Sequence, residues 1–600
     1  MLPQYRVGTH CPHYTEAYFG TDESPSKRTD TRGETRRLPV TAHVTSVDEE
    51  FQKLAHEYIE ARLRTYPEEA TELGDHRFDG ELSDYSKEAR AKDLVLQKTF
   101  ARRLIALENT DRLTGPNRVD FRILKENIEG EVFAHEELKN ADWNPLTYNQ
   151  SLANAVYLLV AREFAPSEER LPSICKRMEA IPRVIEDAKA NLKNPPQIYT
   201  LTAIEQVQGG ISFIREGIAP VLDRVPPSMR DDIAPLREKT SAALEEYKKW
   251  LQEDLLPRST GDFRLGAEKF RKKLRFALAS DLSIEEILKR ARTDLAAIQD
   301  AIYETALSLH RRYFPAIGEA TLTDKKKIIT AVLDKLAEER PNDDTILDEA
   351  RRIVREATDF VREQDLVTVR DRLLKVIPMP EFRRGLGIAY CDSPGPLERY
   401  GETFYAIAPT AANWSPERRE SFFREYNNYM LRDMTVHEAV PGHYLQLMHA
   451  QEFRAPTLVR AIFRSGTFIE GWAVYSEQFM AEAGYGGLEV KMQQLKMRLR
   501  VICNAILDQG IHTSNMSEQE ALDLMTKEGF QQESEAAAKW KRARLSSTQL
   551  STYFVGVAEH LDLREGAQKK LGDKFDLKKY NDEVLSFGSP PAKYVRELMG

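Results

Sequence analysis

Beyond about residue 46, apolar residues recur at intervals of three and four with charges between them. VDEEFQKLAHEYIEARLRTYP, AIEQVQGGISFIREGIAPVL, SAALEEYKKWLQEDLLP and LSIEEILKRARTDLAAIQDAIYETALSL all show this pattern. That period predicts amphipathic helices packed on helices. Pro195-Pro196, Pro226-Pro227 and the stretch from Pro257 to Gly261 punctuate them. No fixed-period repeat marks a solenoid. Between Asp365 and Pro409 the texture changes. LVTV, LKVIPM, GIAYCD and TFYAIA, separated by Pro and Gly, predict a small sheet. Ser415 then reads as an N-cap, with Pro416 at the first helical position, for one helix PERRESFFREYNNYMLRDMTVHEAV. The pattern is helical again to the end. The expected fold is mainly α, with a small β-sheet just before the segment His437-Glu438.

Length shapes the organisation. Six hundred residues exceed one compact core of ordinary size. The pattern divides them into a disordered tail (1–46), a helical N-terminal subdomain (47–364) and a subdomain of small sheet plus helices (365–600). The tail, with TDESPSKRTDTRGETRRLP, has too few apolar residues to offset ordering entropy. Its His10, Cys11 and His13 lack a fourth ligand at useful spacing and read as scattered polar residues. Charged residues at 30% and hydrophobic ones at 41% fit a globular protein and exclude a wholly disordered one. The formal net charge of -9 argues against a nucleic-acid partner. Cys11, Cys175, Cys391 and Cys503 form no C-x-x-C pair, which suits a reducing compartment. The N-terminal stretch lacks the charge and apolar core of a secretory signal, and no apolar run is long enough to span a bilayer. A cytoplasmic protein without a membrane partner is the expectation.

Chemistry concentrates in TVHEAVPGHYLQ, from Thr435 to Gln446. It opens like the zinc-protease signature His-Glu-x-x-His, but the second histidine, His443, lies six residues after His437. Residues four apart share a helix face, whereas residues six apart point away from each other. Pro441 removes a backbone donor and Gly442 relaxes the chain, so a bulge or break there is expected to return His443 to the ligand face. A zinc hydrolase needs neutral imidazoles and a carboxylate around the metal and a further carboxylate to take a proton from water. His437 and Glu438 supply the first ligand and the base. A His-Glu pair alone is weak: HEELK at His135 has no second histidine and reads as a solvated helix face. His449, beyond the bulge, reads as packing or surface.

The third ligand is expected from SGTFIEGWAVYSEQFMAEAG, which starts at Ser465 with a cap-like Ser-Gly-Thr. Glu470 is the ligand choice, flanked by Gly471, which permits close approach of the metal helix. Glu477, two turns on, suits a hydrogen-bond acceptor for a ligating histidine. Trp472 and Tyr475 read as core. In KMQQLKMRLRVICNAILDQGIHTSNMS, Arg498, Asp508 and His512 recur at helical spacing, with Tyr553 beyond a further helix. His512 and Tyr553 are the candidate oxyanion donors. Asp508 is read as an outer support and Arg498 as a structural or substrate-carboxylate-binding group. GETFYAIAP, Gly401 to Pro409, reads as an edge strand for an extended peptide, with Tyr405 pointing into that groove.

HEAVPGHYLQ followed by EGWAVYSE resembles the HExxPGHxxQ family catalogued as domain of unknown function 885, grouped with gluzincin-type metallopeptidases. GDFRLGAEKF at Gly261 to Phe270 and the C-terminal RLSSTQLSTYFVG are similar to that family's recurring segments, so the resemblance covers about residues 46 to 600. Dipeptidyl peptidase III is similar in principle, with one residue inserted in its metal motif. The resemblance implies a large multi-helix metallopeptidase-like fold with helical subdomains around a cleft. It also implies that His437, His443 and Glu470 bind Zn²⁺ and that Glu438 is the general base. One departure is local: Ser547-Thr548-Gln549 stands where the family has a proline, and its Ser-Tyr pair is Thr552-Tyr553, which alters the expected substrate-facing wall. The expected function is zinc-dependent hydrolysis of peptide or related amide bonds in small substrates. The alternatives are zinc-dependent cyclisation or elimination on a small metabolite, or a non-enzymatic helical scaffold.

Overall fold

The periodic segments fold as helices, and short polar side chains set where many of them begin. Ser46 and Ser283 each close a capping box, with Glu49 and Glu286. In the computed structural model, residues 46–107, 112–316, 324–370, 372–380, 388–398, 401–411 and 414–600 are described. The tail, with His10, Cys11 and His13, lies outside them. Residues 46–600 form one compact unit.

Helix α1 (Val47–Thr65) packs against α2 (Gly115–Phe133). Helices α3 (Pro145–Val160), α4 (Ser167–Asn191), α5 (Gln197–Ser212) and α6 (Pro227–Trp250) then bury Tyr148, Ile174, Ile181, Val184 and Tyr247 between them. Next come α7 (Ala267–Leu278), the long α8 (Ile284–Tyr313) and α9 (Ile346–Glu363). These belong to the largest core, which runs from Phe270 to Val595 and includes both Val361 and Leu366, so apolar packing is continuous through residue 364.

The sheet contains β1 (Leu374–Pro378), β2 (Ala389–Asp392) and β3 (Thr403–Ile407), in the order β1-β3-β2. β3 runs parallel to β1 and antiparallel to β2, placing Tyr405 opposite both Val376 and Cys391. Two expectations are corrected here. LVTV is not a strand: Leu366 and Val367 enter the core, and the Asp582 carboxylate accepts from the N–H and hydroxyl of Thr368 at 2.8 and 2.6 Å. The segment expected as an edge strand is the central one, because it is the most apolar of the three. The edge beside the His437 helix is β2.

After the sheet the chain is helical. The helix expected over Pro416 to Val440 is two helices, α10 (Pro416–Glu425) and α11 (Asn428–Glu438). Ser415 caps the first as expected. Asn427 restarts the second by accepting from the N–H groups of Tyr429 and Met430. Helices α12 (His443–Glu452), α13 (Gly466–Glu482), α14 (Gly487–Ser514), α15 (Glu533–Leu545) and α16 (Gln549–Leu571) follow. α13 packs most extensively on α16, and α8 lies along α14. Among the described residues, no helix is long and apolar enough to cross a membrane. The fold is mainly α, as the periodicity predicts.

Candidate metal centre

Helix α11 ends at Glu438. Ala439 leaves helical geometry (φ −118°, ψ −94°), the Val440-Pro441 bond is cis, and α12 begins at His443. The turn is fastened from both sides. Gly442 donates its N–H to Val436 O at 2.9 Å, and the Trp472 indole N–H donates to Pro441 O at 2.9 Å. The fold at Gly442 is so tight that a Cβ there would sit 1.9 Å from His437 O and 2.3 Å from Val436 O. A full break thus replaces the helical relationship of His437 and His443. Their rings end 4.7 Å apart at 85° to one another.

Helix α13 brings the carboxylates. Ser465 caps it by accepting from Phe468 N–H. Glu470 Oε2 lies 3.5 Å from His437 Nε2 and 3.4 Å from His443 Nε2. One ligand atom from each of the three residues falls within 4.8 Å of the others, a set able to hold a metal ion. Burial pushes the Glu470 carboxyl up, but the two imidazoles beside it outweigh this and hold it below the usual carboxylate range. Gly471 serves a different approach from the expected one. A Cβ on it would meet Gly556 of α16 at 2.4 Å, so the pair allows α13 and α16 to touch backbone to backbone.

Glu477 is 1% exposed, and its Oε1 accepts from His437 Nδ1 at 2.6 Å. That bond assigns Nδ1–H to His437 and leaves Nε2 facing Glu470. Behind Glu477 stands Asp433, one turn before His437 and also buried. Burial and then the Glu477 charge raise its carboxyl well above the ordinary range. Asp433 escaped the sequence reading, although its position four residues before a ligand histidine on the same face was the available signal.

Glu438 is half-buried beside the sheet and makes no hydrogen bond or ion pair with another described residue. After burial, its charge is the next influence raising the Cys391 thiol and one of those raising the Tyr405 hydroxyl. Tyr553 stands on the other side, with its ring 6.5 Å from that of His437. Its hydroxyl accepts from Arg542 Nη2 at 3.2 Å and Gln549 Nε2 at 3.1 Å, leaving its own proton for a third partner.

Other expected site residues take different places. Tyr405 is 0% exposed and meets Thr435 Oγ1 at 3.2 Å under α11, so it does not face a groove. His512 cannot serve as an oxyanion donor. Its Nδ1 accepts from Leu265 N–H at 3.4 Å, its Nε2 donates to Ser546 O at 2.9 Å, and it stacks on Phe270. Burial lowers its basicity and keeps it neutral. Asp508 supports the start of α16 instead of a ligand, accepting from Thr548 N–H at 3.0 Å and from the Ser551 N–H and hydroxyl at 3.1 and 2.8 Å. Arg498 is 4% exposed, in the field of Asp294 and Glu477, and its Nε and Nη1 are buried without a hydrogen-bond partner among the described residues. His449 packs as expected, bonded to Thr368 O at 2.9 Å. His135 is half-buried, not solvated, and pairs with Asp93 at 2.9 Å.

Glu477→Gln tests the support of His437. The amide preserves shape and an acceptor oxygen but loses the charge that raises imidazole basicity. We expect metal affinity to fall about 10- to 100-fold, read by competition with a chelator, with little change in melting temperature.

Comparison with known proteins adds the family but no activity. A family model described as "Bacterial protein of unknown function (DUF885)" matches residues 67–599. The solved structure of a lipoprotein candidate of unknown function from Shewanella oneidensis is 32% identical, covering 92% of this chain and 99% of its own, with a TM-score of 0.76. One from Colwellia psychrerythraea, also a lipoprotein candidate, is 19% identical, with 92% and 98% covered and a TM-score of 0.75, a likeness of fold. No curated protein matches. The span of the family match and the identity to the Shewanella structure place this chain in the DUF885 family of bacterial proteins of unknown function.

Proposed function

We propose that the protein is a zinc-dependent hydrolase of gluzincin type that cleaves peptide or related amide bonds in small substrates. The observation that carries this reading is the convergence of His437, His443 and Glu470 within 4.8 Å, with Glu438, which has no hydrogen bond or ion pair among the described residues, next in the chain. The donor set fits the ion. Two imidazole nitrogens and a carboxylate oxygen are the ligand types of catalytic zinc sites with an open position. Glu470 Oε2 is buried without a hydrogen-bond partner, facing both Nε2 atoms. Zn²⁺ held there would polarise a carbonyl and lower the pKa of water.

The chain's own groups account for the remaining chemistry. Glu438 takes a proton from water as the water oxygen adds to the carbonyl carbon. The C–N bond then breaks, and the proton passes to the leaving nitrogen. Tyr553, its hydroxyl oxygen already accepting two bonds, donates its proton to the developing oxyanion. The Glu477 carboxylate fixes the His437 ring through the chain of contacts described above. Among the described residues β2 pairs only with β3, which leaves an edge beside α11 for an extended substrate backbone.

The test is metal analysis of the purified chain followed by incubation with a short-peptide library. About one equivalent of zinc and chelator-sensitive cleavage are expected. Less than about a tenth of an equivalent after gentle preparation and failure to take up added zinc would count against the metal site. A zinc-loaded protein that leaves every peptide intact would remove the hydrolase reading.

A further inference from the structure

Near Tyr553 lies a group of cations on α14 and α15. Arg500 is paired with the Glu535 carboxylate and donates to the Tyr426 hydroxyl at 3.2 Å. Lys496 Nζ holds Glu425 at 2.8 Å, and Glu425 also accepts from Gln532 N–H at 3.3 Å. Each of these two acids is therefore occupied by a cation of its own. Arg542 donates to Gln549 and to the Tyr553 hydroxyl, both neutral acceptors. Among the described residues Lys539 has no hydrogen bond or ion pair, yet it is only 6% exposed.

A largely buried lysine without a partner is costly to keep, and two neighbouring guanidinium groups raise that cost. Burial first, then Arg500 and Arg542, push Lys539 well below the usual lysine range. Simple packing would be served better by Met or Leu at this position. An anion seated against Lys539 and Arg542 would satisfy both, and Arg542 bonds the hydroxyl of Tyr553, whose ring lies 6.5 Å from that of His437.

We propose that Lys539, assisted by Arg542, binds a carboxylate of the substrate, so that the protein acts on short peptides or N-acylamino acids carrying a free carboxylate close to the cleaved bond. This assignment rests on the hydrolase reading for its substrate class, while the anion seat can be measured without turnover. A charge-assisted bond to a largely buried lysine is stronger than one on the open surface.

The test compares three N-acetyl tripeptide pools on the zinc-loaded full chain: free acid, carboxamide, and carboxamide with a terminal glutamate. Free acids are expected to be cleaved with a kcat/KM about tenfold or more above carboxamides. The glutamate carboxamide pool distinguishes a side-chain carboxylate from the terminal one. Lys539→Met should erase the preference and Lys539→Arg should keep most of it, with thermal melting to establish that each variant folds. The same pools are titrated calorimetrically into Glu438→Gln protein, where free acids should bind tighter than carboxamides and Lys539→Met should remove the difference. Equal cleavage and equal binding of acids and carboxamides would overturn the carboxylate seat and leave the hydrolase standing. A preference that survives Lys539→Met would overturn the role of Lys539. Absence of all turnover would defeat the hydrolase reading, and the binding comparison would then decide the anion seat alone. Should Lys539→Met fail to fold, the acid-to-carboxamide ratios of the wild type and Lys539→Arg decide it.

Discussion

Glu438→Gln is expected to slow peptide cleavage by about 10²- to 10⁴-fold, the usual contribution of a positioned general base, while leaving zinc content and melting temperature unchanged. The expectation follows from position. Glu438 closes α11 directly after the candidate ligand His437, is half-buried, and has no cation or hydroxyl competing for its carboxylate among the described residues. Gln has the same shape and cannot accept the proton. Glu438 is also outside the three-residue candidate ligand set, so its loss should not release a bound metal. The measurement is kcat/KM on a cleaved peptide together with metal content on the same preparation. Full activity with intact zinc would show that another group takes the proton. Loss of zinc would show that Glu438 belongs among the ligands.

The two candidate ligand histidines and the candidate base could be read from sequence because they are local, whereas Glu470 comes from another helix. His437, Glu438 and His443 fall in one seven-residue stretch, and the Pro-Gly between the histidines announces an interruption of the helix. Helical periodicity likewise depends only on neighbours along the chain, and the mainly α fold followed from it. Three of four expected strands formed; the fourth failed because Asp582, more than two hundred residues away, satisfies Thr368. The same kind of distant partner decided the other misplacements. Tyr405 looked available until β3 proved central and Thr435 lay over its hydroxyl. His512 looked catalytic until Leu265 and Ser546 occupied both of its nitrogens. Lys539 was invisible in a run of charges, since what distinguishes it is the absence of a partner among the described residues, and that is a property of the packed chain.

Gly442→Ala should be the most damaging single methyl group in the site. The added Cβ would lie 1.9 Å from His437 O and 2.3 Å from Val436 O, both backbone atoms that cannot rotate aside. Relief requires opening the turn, which lengthens the Gly442 N–H bond to Val436 O and draws Pro441 O away from the Trp472 indole. His443 begins the next helix one residue later, so the displacement passes to its ring. Overpacking of this kind costs about 1–3 kcal/mol, and more when backbone must move. The larger effect falls on the metal, because a misplaced imidazole loses most of its ligation. Zinc affinity is expected to drop by about 100-fold or more, beyond the effect of Glu477→Gln, which removes only a supporting charge. Gly210→Ala is the control: no atom lies within 4 Å of its added Cβ, and a helical alanine should stabilise by roughly 0.5–1 kcal/mol without touching the site. The pair is compared by thermal melting and chelator competition. Wild-type zinc affinity in Gly442→Ala would mean that the turn tolerates a side chain and that His443 is not placed by its tightness.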